Sequence, residues 1–513
     1  MRFASLALTV AMGLSLAPAP ALAALVPLEL QKLTPDGARP SFGMHVALDG
    51  DEAIVSATGA EVDGVPNAGE AYYFRRQDGA WLAPQTLMAP TPNPGGGFGR
   101  ALLGGGLAFV AEPRNSHGQV FVYDIQGGVV AATPTQILTA SSPVVGAEFG
   151  EALALWGDWL AVGSPGGGAA EGVQLFHYEG GAWVAQQLLL PASDDIRFGV
   201  ELAMDAGVLM VAAMGSSGDR VHVFREVAGL WQLDQTLSAV PAASDDGFGV
   251  LALDAQTALI GAPWAEAATG KVYRFQDNTS SWLFADEMAP EVAIAGDHTG
   301  ISVALDGQVA VVTASLADGG AAESGVAYLY ERASGAWSTP TVVVPSDVTF
   351  SQQFGIASAL DGDTLMISSF GGTGSPAVYV YRLVDDKEGT PCIEDDDCAT
   401  DELCLDNLCS ESGMGGGAAG EGGAGGGGTG GGGTGGGGTG GGGAGGAGLG
   451  AGGAGGDWHG TWKLDENRSD GCGCRLDGRS SDPNTWSWLT SVAGILVMRR
   501  RRGKPAWRGP RSR

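Results

Sequence analysis

The chain has 513 residues and a formal net charge of −30, and the charge is unevenly distributed. Residues 24–459 carry 14 Lys and Arg against 52 Asp and Glu, whereas residues 460–513 carry 12 against 5. A body this acidic repels phosphate backbones and anionic lipid, which argues against nucleic-acid binding. Cations and cationic partners remain open, and the plainer interpretation is that acidity keeps an exported protein in solution.

The first 23 residues predict a secretory signal peptide. Arg2 precedes an apolar run from Phe3 to Leu16, and Ala21-Leu22-Ala23 forms the small-residue end that a signal peptidase recognises. We therefore expect cleavage after Ala23 and export of the mature chain. The apolar run is short for a bilayer span, and an uncleaved anchor is the alternative.

A Phe-Gly dipeptide recurs along residues 24–386 at steps of 49 to 56 residues, once the degenerate Thr299-Gly300 is included. The copies are Phe42-Gly43, Phe98-Gly99, Phe149-Gly150, Phe198-Gly199, Phe248-Gly249 and Phe354-Gly355. A period near fifty residues is typical of repeat folds, in which each unit stacks on its neighbours to bury an apolar face.

The sequence pattern within each repeat unit predicts four β-strands. Short apolar runs alternate with turn residues, and the first turn is often Asp-Gly, as in Asp49-Gly50 and Asp306-Gly307. A second glycine, such as Gly69, opens the third strand, and a Trp such as Trp81 leads into the outer strand.

The last unit ends after Tyr381 without a Trp-led outer strand, while Leu28 to Leu33 at the other end of the chain resembles one. An N-terminal strand that completes the last unit closes a ring and removes exposed sheet edges. The prediction is an all-β, seven-bladed β-propeller over residues 24–386.

The Phe-Gly copies, with Gly261-Ala262-Pro263 as the best copy of a partner motif, resemble the FG-GAP repeat of integrin α-subunit heads and of many exported bacterial proteins. The resemblance implies that these positions are structural: Phe is expected to wedge between blades and Gly to let backbones approach. Integrin-like repeats often hold calcium in the first hairpin. Here that hairpin has shrunk to Leu48-Asp49-Gly50-Asp51-Glu52, so we expect no cofactor, with weak calcium binding as the alternative.

The sequence predicts no catalytic and no metal-binding residue. Neither a Gly-x-Ser-x-Gly nor a His-Glu-x-x-His motif is present, and the chain has six His. The acidic pairs Asp194-Asp195 and Asp245-Asp246 are interpreted as solvated loop residues, with a weak cation site as the alternative. A carboxylate pair near the central channel could hydrolyse a glycoside, but spacing along the chain places no such pair.

The composition changes after the propeller. Residues 390–410 contain Cys392, Cys398, Cys404 and Cys409, which in an exported chain predict two disulfides in any of three pairings, with zinc binding as the alternative. Residues 411–457 are almost entirely Gly, Ala and Thr and predict a disordered linker that spans on the order of 40 Å.

Residues 458–513 predict a sorting or anchor segment. Cys472 and Cys474 precede an apolar run over 486–498 and the Arg cluster 499–502. This order of parts resembles the MYXO-CTERM sorting signal of myxobacterial exported proteins, which implies processing or lipid attachment at one of these cysteines and display on the outer surface of a Gram-negative cell. A permanent single-pass helix is the alternative.

Three functions follow from these parts. The first is a surface-anchored, non-enzymatic propeller that binds an unidentified surface protein or glycan. The second is an extracellular polysaccharide hydrolase or lyase, and the third is a structural component of the cell envelope. A concave cluster of aromatic and acidic side chains on one face of the ring would mark a binding site.

Overall fold

The structure is a computed structural model that describes residues 24–385, except 38, 167–171, 216–217, 242–245, 291–292, 334 and 373, and the backbone of 402–405 and 408–411. Residues 24–385 form seven antiparallel sheets, each one blade of a β-propeller. Four blades contain a fifth strand because one of their strands is interrupted: the outer strand of blades 1, 2 and 6, and the inner strand of blade 4.

The strands are given in chain order. The closing strand is β1 (Leu25–Leu33), and blade 1 contains β2 (Phe42–Asp49), β3 (Glu52–Ala57), β4 (Glu70–Gln77), β5 (Ala80–Trp81) and β6 (Gln85–Met88). Blade 2 contains β7 (Arg100–Gly104), β8 (Leu107–Glu112), β9 (Gln119–Gln126), β10 (Val129–Val130) and β11 (Gln136–Leu138). Blade 3 contains β12 (Leu153–Trp156), β13 (Trp159–Ser164), β14 (Gly172–Glu179) and β15 (Ala182–Leu189). Blade 4 contains β16 (Asp195–Ile196), β17 (Leu202–Asp205), β18 (Val208–Gly215), β19 (Arg220–Val227) and β20 (Leu230–Ser238).

The remaining blades follow the same plan. Blade 5 contains β21 (Val250–Asp254), β22 (Thr257–Ala262), the short helix α1 (Ala265–Ala268), β23 (Lys271–Asp277) and β24 (Trp282–Met288). Blade 6 contains β25 (Thr299–Asp306), β26 (Val309–Ala314), β27 (Val326–Ala333), β28 (Ala336–Trp337) and β29 (Thr341–Val343). Blade 7 contains β30 (Phe354–Asp361), β31 (Thr364–Ser369) and β32 (Ala377–Asp385).

The N-terminal strand completes blade 7, as predicted. β1 pairs antiparallel with β32 from Leu25 opposite Asp385 to Leu33 opposite Val378, and the sheet order is β1-β32-β31-β30. Leu30 lies in a bulge of this pairing between Glu29 and Gln31. The ring is therefore closed by hydrogen bonds between segments more than 300 residues apart in sequence.

The hydrophobic cores lie between neighbouring blades, and a Phe of the repeat is buried in six of the seven. Phe42 packs with Val378 and Met366 of blade 7 and edge-on against Tyr72 of its own blade, with 5.5 Å between the ring centroids. Phe98 occupies the same place between blades 1 and 2. In the degenerate copy, Thr299 is buried without a ring to contribute.

Both kinds of repeat glycine allow backbones to approach. Gly43 has φ +83°, and an added Cβ would lie 2.9 Å from the Cβ of Ser368 in the preceding blade. Gly69, which directly precedes β4, lies against the backbone of Phe98 in the next blade so closely that a Cβ would collide with the Phe98 carbonyl oxygen. A side chain at either position would force the two sheets apart.

Glutamine side chains link outer strands of neighbouring blades. The side-chain amide of each glutamine makes the two hydrogen bonds that a backbone peptide group would make. The Gln187 side chain donates to the Trp231 carbonyl of the next blade (2.8 Å) and accepts from the Trp231 N–H (2.9 Å). Four more pairs repeat this geometry: Gln31 with Trp81, Gln85 with Val130, Gln136 with Trp183, and Gln235 with Trp282. These bonds satisfy backbone groups at an outer sheet edge.

The two faces of the ring differ. The tight turns between first and second strands lie on one face, here the turn face, and the longer connections between blades lie on the opposite face, here the loop face. β1 starts and β32 ends at the turn face, because Arg382 pairs with Thr364 beside a tight turn and Leu25 pairs with Asp385 just beyond it. Both chain ends of the propeller therefore lie on the turn face.

Several predictions concern segments outside the described residues. These are the signal peptide with Ala23, Cys392 and Cys398, the linker 411–457 apart from its first residue, and the tail with Cys472, Cys474, 486–498 and 499–502. β33 (Glu402–Leu405) and β34 (Leu408–Glu411) form a hairpin whose backbone register places Cys404 opposite Cys409. Within the described part of the chain, no helix is long and apolar enough to cross a membrane.

We expect Gln187→Ala to lower the free energy of unfolding by about 1–3 kcal/mol, because it leaves a buried N–H and carbonyl of Trp231 without partners. The neighbouring Gln186 bonds only the exposed Glu179 carboxylate, so Gln186→Ala is the matched control. Urea unfolding followed by Trp fluorescence measures both variants. Equal midpoints would show that the glutamine bond does not stabilise the ring.

Candidate functional site

The inner strands surround a central channel with two cavities along its axis. The cavity near the loop face, here the upper chamber, has a volume of about 220 Å³ and is lined by residues that follow the Phe-Gly copies by one to three positions. The cavity at the turn face, here the lower vestibule, has a volume of about 690 Å³ and is lined by the ends of the inner strands. The repeat thus places equivalent positions of all seven blades around one axis.

Titratable side chains occupy only one sector of the upper chamber. His45, Arg100, Glu151 and Glu201 come from blades 1, 2, 3 and 4 in turn. Arg100 Nη2 lies 2.9 Å from Glu151 Oε1, and Arg100 Nη1 donates to the Glu151 carbonyl. Arg100 and Glu151 therefore form a buried ion pair between neighbouring blades.

Glu201 differs from Glu151 in its environment. Burial raises the pKa of the Glu201 carboxyl to about 7; the Glu151 carboxylate raises it further, and the Arg100 guanidinium opposes the shift. Among the described residues, none donates a hydrogen bond to this carboxyl group. A carboxyl group near neutrality in a cleft is a recognised mark of a functional site.

His45 is held in its neutral form. Burial, followed by the positive charges of Arg100 and Arg114, lowers the pKa of His45 well below its ordinary value. At neutral pH its imidazole offers one N–H donor and one nitrogen acceptor to the chamber.

The other sector of the upper chamber is mostly aliphatic. Val250, Leu251, Ile301 and Ile356 of blades 5 to 7 line it. Its polar groups are Ser302 and Ser358, whose hydroxyl oxygens lie 2.8 Å apart and satisfy one another. The chamber therefore has a charged side and an aliphatic side.

The lower vestibule combines aromatic and acidic side chains. Trp156, Tyr178 and Trp183 line it on the side of blade 3. Its carboxylates are Asp49, Asp158, Asp306 and Asp361, and no Lys, Arg or His lines it. Burial, and then the negative charge of Asp361, raises the pKa of Asp49. A concave cluster of the expected kind is thus present on the turn face.

Some of the Asp side chains that line the vestibule also join neighbouring blades. Asp361 accepts a hydrogen bond from the Gly50 N–H of the next blade (2.5 Å), and Asp306 accepts one from the Gly362 N–H (2.6 Å). Asp254 and Asp205 make the same bond to Gly307 and Ala255. Among the described residues, no backbone N–H donates such a bond to Asp49 or Asp158, and both side chains are exposed.

The residues predicted from sequence are distributed as follows. The six Phe-Gly copies lie in the cores between blades and outside both cavities.

The interpretation of Asp195 as a solvated loop residue is wrong: its side chain is fully buried, 2.9 Å from His222 Nε2 and 3.5 Å from Arg220 Nε. The Arg220 guanidinium offsets the negative charge of that buried carboxylate, whereas burial lowers the pKa of His222. Among the described residues, no group of three or more His, Cys, Asp or Glu could hold a metal ion.

Sequence reasoning missed the charged residues of the channel, although a signal was available. Position two after the Phe is Arg100 in blade 2 and Glu151 in blade 3, while the same position is Val250 in blade 5 and Ile356 in blade 7. A charge at an otherwise apolar repeat position marks a departure from the repeat. Aligning the seven units would have found it.

We expect Glu201→Gln to gain stability relative to the unchanged protein as the pH rises. The folded carboxyl has a pKa of about 7 against a reference of 4.5, so the folded state binds more protons than the unfolded state between these values. Stability is therefore lost as the pH rises through this window, by at most about 3 kcal/mol, and glutamine does not titrate.

Thermal unfolding at pH 4.5 and pH 8 measures this effect, with the exposed Glu61→Gln as control. A stability difference between Glu201→Gln and the unchanged protein that is the same at both pH values would contradict the raised pKa.

Comparisons with known proteins agree with the repeat. The FG-GAP repeat model matches residues 28–74 and 282–330. Each matched segment begins in an outer strand (β1 or β24) and continues through the first three strands of the next blade. A comparison with curated proteins found no significant match.

Solved structures resemble the chain at low identity. A chain of a mitotic checkpoint complex has 12% identity and a TM-score of 0.46, covering 75% of this chain and 99% of its own length. A putative 6-phosphogluconolactonase from Bacteroides uniformis has 11% identity and a TM-score of 0.44, covering 59% and 85%. A protein from Lactobacillus plantarum has 12% identity and a TM-score of 0.43, covering 65% and 99%. These likenesses are too distant to bear on function. The seven sheets show that the chain is a seven-bladed β-propeller, and two segments of this propeller, residues 28–74 and 282–330, match the FG-GAP repeat.

Proposed function

We propose that the protein is an exported, surface-anchored propeller that binds a protein or glycan through its lower vestibule and catalyses no reaction. The observation that carries this proposal is the vestibule itself, which brings three aromatic and four acidic side chains together in about 690 Å³. Cavities of this size suit small ligands or the tip of a larger one. Aromatic rings stack on the C–H faces of sugars or on cationic groups, and carboxylates accept hydrogen bonds from hydroxyl and ammonium groups.

Export and anchoring are proposed from the sequence. The signal-like residues 1–23 and the MYXO-CTERM-like tail support passage out of the cytoplasm and attachment to the outer membrane of a Gram-negative cell. The Gly-rich stretch 411–457 would separate the propeller from that attachment by about 40 Å. Because the propeller's own chain ends lie on the turn face, the vestibule faces the side from which the chain continues.

A polysaccharide hydrolase or lyase is the second candidate, and the upper chamber favours it. Glu151 carries an ion pair with Arg100, while the pKa of Glu201 is raised to about 7. Two carboxyl groups in contrasting environments are the usual arrangement of a general acid and its ionised partner. The test measures turnover of a panel of bacterial and plant polysaccharides. Turnover by the unchanged protein that is lost in Glu201→Gln would establish this candidate. Absence of turnover on the whole panel would exclude it in favour of binding.

We expect Tyr178→Ala and Asp158→Asn to reduce binding to surface glycans or proteins at least tenfold, because both side chains line the vestibule and are exposed. The matched control is Phe350→Ala, since Phe350 is an exposed aromatic residue in a connection on the loop face. Glycan-array binding and pull-down from surface fractions, each with the full-length protein, measure the effect.

Equal loss in Phe350→Ala would move the site to the loop face. A deletion strain with an altered envelope, together with a protein that retains no partner or glycan, would favour the structural role instead.

A further inference from the structure

We propose that the upper chamber is a binding site for a small primary alkylammonium ion, with the ammonium group at Glu201 and the alkyl chain against blades 5 to 7. The inference goes beyond the proposed function, because this chamber is separate from the lower vestibule. It depends on the cavity, on the distribution of charge around it and on its aliphatic wall.

The size of the chamber limits the ligand. A volume of about 220 Å³ corresponds to about seven water molecules in the liquid. A short amine with four to six carbon atoms is on the order of this size, whereas a folded partner, or a stretch of polymer longer than its terminal unit, is not. The ligand is therefore a small molecule.

The charges select a cation. Arg100 is engaged by the carboxylate and the carbonyl oxygen of Glu151, so this ion pair offsets its own charges. Glu201 is the chamber carboxyl group to which no described residue donates a hydrogen bond. Above the chamber, Arg197 lies 3.6 Å from Glu148 and is paired there. A ligand that supplies a positive charge and N–H donors to Glu201 gives this carboxyl group the hydrogen bonds that no described residue provides.

The aliphatic wall selects an organic cation. Glu201 belongs to blade 4, and its neighbour on the side away from the ion pair is blade 5, which contributes Val250 and Leu251. Ile301 and Ile356 continue this wall through blades 6 and 7. An alkyl chain attached to the ammonium group would bury apolar surface there, whereas a hydrated metal ion would leave the wall facing water. Among the described residues, no group of three metal-binding side chains competes for the role.

Binding depends on pH because Glu201 must be ionised. Its pKa of about 7 means that most of the protein carries a protonated Glu201 at pH 6 and an ionised one at pH 8. The other groups that face it are Arg100 and Glu151, which are paired with each other, and His45, which burial and Arg100 keep neutral. We therefore expect the affinity for an amine that is protonated throughout this range to rise by up to about tenfold from pH 6 to pH 8.

The experiment titrates the full-length protein with n-butylammonium chloride at pH 6 and pH 8 by calorimetry, in parallel with 1-butanol as the uncharged analogue and sodium chloride as the inorganic cation. The expected result is saturable binding of butylammonium, stronger at pH 8, and no saturable binding of butanol or sodium. Glu201→Gln should weaken butylammonium binding at least tenfold at pH 8 and remove its pH dependence, while Glu61→Gln should change neither.

Three results would each overturn the proposal. Butanol could bind as tightly as butylammonium, the affinity for butylammonium could be independent of pH, or Glu201→Gln could leave butylammonium binding unchanged. The same holds if no butylammonium binds at millimolar concentration. The titration of the unchanged protein decides the matter even if Glu201→Gln fails to fold. Tyr178→Ala, which alters only the lower vestibule, should leave amine binding intact, so failure of the vestibule proposal is distinguishable from failure of this one.

Discussion

Closure of the ring is the constraint on which the rest of the structure depends. Each core is shared by two neighbouring blades, so a blade without a neighbour would expose half of its apolar surface to water. The pairing of β1 with β32 completes blade 7 and places Phe42 against Val378, which gives the first and last blades the same core as every other pair. Hydrophobic burial, which stabilises the blades, thus becomes fully available only when the two ends of the propeller segment meet.

The same close packing determines where the chemistry lies. Phe-Gly fixes the start of each inner strand, since the ring is buried between blades and the glycine touches the neighbouring sheet. The residues that directly follow are therefore directed to the axis in every blade. This separates two tasks within the repeat: the Phe-Gly positions hold the ring, and the next positions differ from blade to blade. Titratable residues in blades 1 to 4 and aliphatic residues in blades 5 to 7 give the upper chamber its two sides.

On the turn face, Asp residues that join the blades also line the lower vestibule. Asp306 and Asp361 each use a carboxylate oxygen to join their blade to the next one, while the same side chains line the lower vestibule. Asp158, at the equivalent turn of blade 3, is not used in this way and lies beside Trp156. The bonds that join the blades thus also place negative charge around the lower vestibule, and blade 3 adds aromatic residues beside it.

The sequence by itself determined the all-β class, the number of blades and the closing strand, because these follow from the period of Phe-Gly, from short alternating runs and from an outer strand missing at one end and present at the other. It also indicated that the Phe-Gly positions are structural. The tertiary structure alone decided that Asp195 is buried beside His222, that Gln187 replaces a peptide partner for Trp231, and that Arg100, Glu151 and Glu201 meet on one axis. These contacts join residues of different strands, and most of them join residues about fifty positions apart. They depend on the angle and spacing of neighbouring blades, which no local pattern in the chain encodes.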